Sequence, residues 1–287
     1  MAEAAIRVED VRFSYGDLEV LHGISFAVAP GEILGFLGPN GAGKSTTIKI
    51  LTGQLPLRAG RAQVLGIDVT ADNPVLQAQI GVCFEEKNLY ELMSGRENLR
   101  FFARLFGIRD LDADGLLARV GLADRGRDPV GKYSKGMRQR LMMARALVNG
   151  PRVLFLDEPT DGLDPVSARA IRTLIKQEAD RGAAVLLTTH DMFEADELSD
   201  RVAFINEGRI HAIDTPESLK LKHGRRAIKV RVRAADGVRE QSVPLDDADA
   251  GERLGEAVRD PGLMTIHTEE ATLESIFIEM TGRGLEG

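Results

Sequence analysis

The stretch GFLGPNGAGKSTTIKIL, Gly35 to Leu51, passes from an apolar run through a glycine-rich loop into a helical pattern. Gly38 to Ser45 fits G-x-x-x-x-G-K-[ST] at every fixed position. The glycines let the backbone curl so that its N–H groups point at phosphate oxygens, and the positive end of the following helix adds to the attraction. Lys44 offers a point charge to the outer phosphates, and Ser45 a hydroxyl ligand for Mg²⁺. The candidate phosphate-binding residues are Gly38, Pro39, Asn40, Gly41, Ala42, Gly43, Lys44, Ser45 and Thr46. A purely structural glycine turn is the competing reading, and the strand-before, helix-after context disfavours it.

Working outward, VLFLD ends in Asp157 after four apolar residues, so a carboxylate emerges at a strand's C-terminal edge. That edge is where ligands bind in open α/β sheets and where a second Mg²⁺ partner is needed. Glu158 follows, placed to orient or deprotonate water attacking a γ-phosphate. His190 closes another strand, AAVLLTTH, and falls on the same edge. Taken alone it reads equally as a structural histidine. Asp164 precedes Pro165, and Asp at a helix cap with Pro at the first helical position is a complete local explanation.

The remainder of the chain fits around this core. Two β-rich pieces open it, AIRVEDVRFSY and VLHGISFAVAPGEILGFLG. IGVCF (80–84) reads as a buried strand. In SGRENLRFFARLFG, Ser94 and Glu97 have capping-box spacing, and Leu99, Phe102, Ala103 and Phe106 share one helical face. Strand–helix alternation resumes from VLFLD, which predicts a largely parallel sheet flanked by helices with a helical insertion at about 90–150. After about 222 the texture changes. In RRAIKVRVR, Ile228, Val230 and Val232 alternate with Lys229, Arg231 and Arg233, as in a strand with one wet face, and two short helices follow.

Composition sets limits. The 287 residues allow one large domain with an appendage or two modest ones, and the net charge of −7 argues against a dedicated nucleic-acid binder. Cys83 stands alone, so no intrachain disulfide forms, in keeping with a reducing cytosol. Neither a signal layout nor a window of ~20 apolar residues is present, so any membrane-spanning part is expected in another chain.

The motif set, in this order, resembles the nucleotide-binding subunit of an ATP-binding cassette (ABC) transporter. GPNGAGKST is similar to that family's Walker A, VLFLDEPT to its Walker B with catalytic glutamate, GLDP with Asp164 to its D-loop, and His190 to its switch histidine. The resemblance implies an α/β fold: a P-loop NTPase core with a mainly parallel sheet, an antiparallel β subdomain and a helical signature subdomain at about 90–150. It covers roughly 5–222, giving a cassette at 1–222 and a small α+β accessory region at 223–287. It further implies that Tyr15 stacks on adenine and that Glu85, where the family often has glutamine, joins Ser45 and Asp157 around the metal.

The family's LSGGQ, which grips ATP held by a second cassette, falls here on YSKGM. Ser134 and Gly136 are kept, at a helix N-terminus; Tyr133, Lys135 and Met137 depart. Lys135 either adds a cation near the triphosphate or faces solvent, and Met137 packs or touches the ligand. The expected activity is ATP hydrolysis with ATP and Mg²⁺, by a homodimer or paired cassette on the cytoplasmic face of the membrane. Residues about 86–99 would face a separate transmembrane permease subunit. ENL (97–99) and the TLESIFIEMTG tail resemble the drug, antibiotic or lipid exporter branch. The alternative, a soluble ABC ATPase acting on ribosomes or DNA, usually has two cassettes or a long coiled-coil insertion, and neither is present. A GTPase would need an N-K-x-D motif, also lacking.

Overall fold

The computed structural model describes residues 4–69, 73–84, 88–223, 227–234, 237–269, 271–282 and 284. They form two compact units that part after Asp214.

The first unit is built on a six-stranded sheet. Its strands are β3 (Ile33–Leu37), β6 (Ile80–Cys83), β7 (Val153–Asp157), β8 (Ala184–Thr189), β9 (Arg201–Asn206) and β10 (Arg209–Asp214), in the order β10-β9-β3-β8-β7-β6. All neighbours pair parallel except β9 and β10. The apolar runs seen in the sequence have a two-sided cause, because alternate residues serve opposite cores. Phe36, Val153, Phe155 and Leu186 join one cluster, while Ile33, Leu154, Leu156, Val185 and Leu187 join the other. Strands buried on both faces lose the polar alternation of a half-wet sheet.

Against the first face lies a four-stranded antiparallel sheet of β1 (Ile6–Tyr15), β2 (Leu18–Val28), β4 (Ala59–Val64) and β5 (Ile67–Asp68), ordered β2-β1-β4-β5. α1 (Lys44–Leu51) buries Ile48, Ile50 and Leu51 in the same cluster, and α2 (Pro74–Gln77) adds Leu76. The other face carries α3 (Gly95–Leu105), α4 (Ala113–Arg119), α5 (Lys135–Ala146) and α6 (Pro165–Asp180), with α7 (Met192–Leu198) contributing Leu198.

The α3 capping box forms as the spacing predicts: Glu97 N–H donates to Ser94 Oγ at 3.2 Å, and Ser94 N–H to Glu97 Oε2 at 2.8 Å. Leu99 and Ala103 are fully buried, but Phe106 is 41% exposed. It stands at the C-cap, past the last helical turn, where the predicted face no longer points inward.

The second unit, 215–284, holds α8 (Pro216–His223), a three-stranded antiparallel sheet, α9 (Ala250–Arg259) and α10 (Leu273–Thr281). Its strands, β11 (Ala227–Ala234), β12 (Gly237–Pro244) and β13 (Leu263–Glu269), run in the order β12-β11-β13. Val230 and Val243 are buried, while Arg231 and Arg233 are exposed, matching the alternation expected for one wet face. α8 packs with α10, so residues 215–222 group with this unit and not with the residues before them.

Candidate nucleotide site

The glycine-rich loop leaves the buried end of β3 and curls into α1. At Gly38 a Cβ would sit 2.0 Å from the carbonyl oxygen of Ile205 on β9, so no side chain fits. Gly43 caps α1 with φ 105°, a backbone region that L side chains rarely enter. Gly208 N–H donates to Ala42 O at 3.1 Å and ties the loop to the β9–β10 turn. The loop's form therefore depends on strands far away in sequence.

Lys44, on the first turn of α1, is 5% exposed. Its ammonium donates to Gly38 O at 2.6 Å and Pro39 O at 3.4 Å, and lies 3.3 Å from Glu158 Oε1. Ser45 follows, half-buried on the same turn.

Asp157 ends β7 as predicted and is buried, its Oδ1 accepting from the Thr188 hydroxyl on β8 at 2.5 Å. Glu158 then turns with φ 49°, one of few non-glycine residues in the left-handed region. Its N–H donates to Thr188 O at 3.1 Å and to Thr188 Oγ1 at 3.2 Å, which holds the strained turn. Oε2 of Glu158 lies 3.0 Å from His190 Nδ1 and accepts from His190 N–H at 3.4 Å. Oε1 is buried beside the Lys44 ammonium and makes no hydrogen bond of good geometry among the described residues. Lys44, Asp157, Glu158 and His190 are thus brought together at the carboxyl ends of β7 and β8 and the start of α1. Thr188, which braces the Asp157 carboxylate and the Glu158 backbone N–H, was missed in the sequence; its only local mark is the Thr-Thr pair before His190.

The other predicted residues stand elsewhere. Tyr15, at the end of β1, is 46% exposed and packs edge-on against Phe13 at 4.9 Å. Ser134 caps α5, its hydroxyl accepting from Met137 N–H at 3.2 Å. Lys135 Nζ sits 3.5 Å from Asp161 Oδ2, and a Cβ on Gly136 would approach Ser167 Oγ to 3.1 Å. The start of α5 therefore rests on residues 161–167 of the same chain. Met137 is half-buried against the helical core, so it packs. Tyr133 is buried too, its hydroxyl donating to Arg125 O at 2.7 Å.

Asp164 caps α6, accepting from Val166 N–H at 3.1 Å and Ser167 N–H at 2.9 Å. The Ser167 hydroxyl and N–H hold its carboxyl below the ordinary carboxylate value. Glu85 lies outside the described residues.

Beyond Glu85, the segment 88–94 is organised by Asn98, a fully buried amide. It accepts from Tyr90 N–H at 2.9 Å and donates to Tyr90 O and Ser94 O, both at 3.0 Å. Arg145 reaches under the same segment, donating to Asn88 O at 2.7 Å with its guanidinium 4.8 Å from the Phe102 ring centre. Burial pulls its pKa below the usual arginine value. Leu92, at the segment's tip, is 98% exposed. No helix among the described residues is long and apolar enough to cross a membrane.

This arrangement meets matching findings from known proteins. The family model described as ABC transporter matches residues 21–161. A fluoroquinolones export ATP-binding protein of Mycobacterium tuberculosis is 46% identical over 283 residues, covering 98% of this chain and 94% of that protein. A daunorubicin resistance ATP-binding protein of Streptomyces coeruleorubidus is 37% identical over 310 residues, covering 98% and 96%. A solved structure titled as the ATP binding subunit of an ABC transporter superposes with a TM-score of 0.70 at 30% identity, covering 77% of this chain and 93% of that one. A phosphate loop, two strand-end carboxylates and a facing histidine, on this fold and with these relatives, place the chain in the ABC transporter family, as one of its ATP-hydrolysing, ATP-binding subunits.

Proposed function

We propose that the chain is the motor of an exporter, pairing with a second cassette around two Mg·ATP and driving a separate transmembrane subunit from the cytoplasmic face of the membrane. The observation that carries this is the position of Glu158, with one oxygen 3.0 Å from His190 Nδ1 and the other 3.3 Å from Lys44 Nζ. His190 orients the carboxylate. The second oxygen, buried beside the Lys44 ammonium, takes the proton of the water that attacks the γ-phosphate. Lys44 and the loop N–H groups hold the phosphates in line. The donor set fits Mg²⁺: the Ser45 hydroxyl and the buried Asp157 carboxylate are hard oxygen ligands, as that ion takes. Mg²⁺, when bound, neutralises charge on the phosphates.

Tyr15, half-exposed beside Phe13, takes the adenine face. Ser134, Lys135 and Gly136 at the start of α5 grip the γ-phosphate of the other cassette, while Met137 packs behind them. Asp164 and the turn before α6 lie against that partner. The segment 88–94, with Leu92 outermost, takes the transmembrane subunit, and Glu85 is the third proposed oxygen ligand of the metal. Export follows from relatives named for fluoroquinolone export, daunorubicin resistance and Nod factor export. Replacing Glu158 by Gln is expected to lower turnover by about 10²–10⁴-fold while ATP still binds, and to trap an ATP-dependent dimer visible by size-exclusion chromatography. Wild-type hydrolysis in that variant removes Glu158 from the role.

A further inference from the structure

One carboxylate near the site has no part in the mechanism above. Glu194, on α7, is fully buried, whereas its sequence context MFEADEL reads as an acidic surface helix. Its Oε1 accepts from the Thr160 hydroxyl at 2.5 Å, and its Oε2 is buried without a hydrogen-bond partner of good geometry among the described residues. Thr160 stands two residues after Glu158, and Glu194 four residues after His190. The hydrogen bond between them therefore joins the segment leaving β7 to the helix leaving β8. Glu158 and His190 meet just above, at 3.0 Å. Asp191 completes the frame, capping α7 through Phe193 N–H at 2.9 Å and Glu194 N–H at 3.1 Å.

A buried carboxyl with an oxygen short of well-aligned hydrogen bonds is costly wherever it stands. Here the cost falls at the one place where two catalytic segments must keep register. We propose that Glu194 is a positioning residue for hydrolysis: through the Thr160 hydroxyl it holds the Glu158 turn against the His190 helix and so keeps the catalytic contact in place.

The electrostatics favour the protonated form of Glu194 over its ordinary tendency. Burial raises the Glu194 carboxyl above the ordinary carboxylate value, against the pull of the Thr160 and Thr189 hydroxyls. Of the charges facing it, Asp191 adds to the rise and Arg172 of α6 opposes it. A neutral amide of the same shape can therefore take its place.

This inference rests on the hydrolytic reading of Glu158. The test uses the purified full chain and four variants: Glu194→Gln, Glu194→Leu, Thr160→Val and the Thr160→Val/Glu194→Leu pair. Glu194→Gln is expected to keep kcat within about twofold, since the amide still accepts from Thr160. Thr160→Val and Glu194→Leu are each expected to lower kcat roughly tenfold with KM for ATP unchanged, short of the ~10²-fold that a full 1 Å misplacement costs. The pair should be no worse than either single variant, because both remove one bond. A normal kcat in Thr160→Val overturns the proposal even if Glu194→Leu fails to fold, and so do effects that multiply in the pair. A wild-type chain without ATPase activity breaks the hydrolytic reading instead.

Discussion

The site at the ends of β7 and β8 and the start of α5 serve the same proposed reaction, but they are built differently. At the first, each group is held by other parts of the chain: Lys44 by two carbonyls and a carboxylate, Asp157 by Thr188, Glu158 by Thr188 and His190. At the second, the Ser134 hydroxyl accepts from Met137 N–H of its own helix, and the Lys135–Asp161 pair leaves side chains 53% and 44% exposed. One region is complete within the chain. The other offers a helix N-terminus and a capping hydroxyl, which the proposed function treats as half of a site shared with a second cassette.

The sharpest break of that comparison is Ser134→Arg. Nucleotide binding by the single chain, read with a fluorescent ATP analogue, should stay within about twofold, since Ser134 touches nothing in its own phosphate site. Hydrolysis should fall by roughly 10² or more, the scale lost with an essential transition-state contact. Persistent hydrolysis would return Ser134 to the role of a cap.

A second prediction concerns the complete region, through pH. Glu194's folded-state pKa lies above its unfolded value. Its contribution to stability is therefore fully present below the unfolded value and is lost as pH rises through the folded one. The wild-type melting temperature should fall relative to that of Glu194→Gln as the solution is made less acidic. A constant difference across the range would mean that folding does not shift the Glu194 carboxyl.

The smallest effect is expected at Lys135→Ala. The pair it breaks is half-exposed, and such pairs are worth about 0–1 kcal/mol. Thermal stability should hardly move. A drop in ATP turnover without a drop in stability would show that the lysine reaches the triphosphate of the opposite cassette.

The same contrast explains what could be read from the chain alone. The phosphate loop, Asp157, Glu158 and His190 lie within or just after apolar runs, so local order carried them. β4 and β5 did not announce themselves: AGRAQV and ID have little alternation, β5 takes its register from β4, and β4 takes its own from β1, where Gly60 lies against the backbone of Asp10. Tyr133 read as a departure from a motif because its partner, the Arg125 carbonyl, belongs to a loop that only the folded helical layer brings near. Glu194 had no local mark at all. Its burial follows from the segment after β7, more than thirty residues earlier in the chain.

The left-handed turn at Glu158 has a consequence for how the fold and its activity trade against each other. Strain of this kind costs on the order of 1–3 kcal/mol, and glycine at the same position would relieve it. Selection for stability alone would thus pull position 158 away from glutamate. Laboratory evolution toward thermal robustness without an activity screen should silence this motor early, and any ancestor rebuilt from its relatives should be judged by its turnover before its melting point.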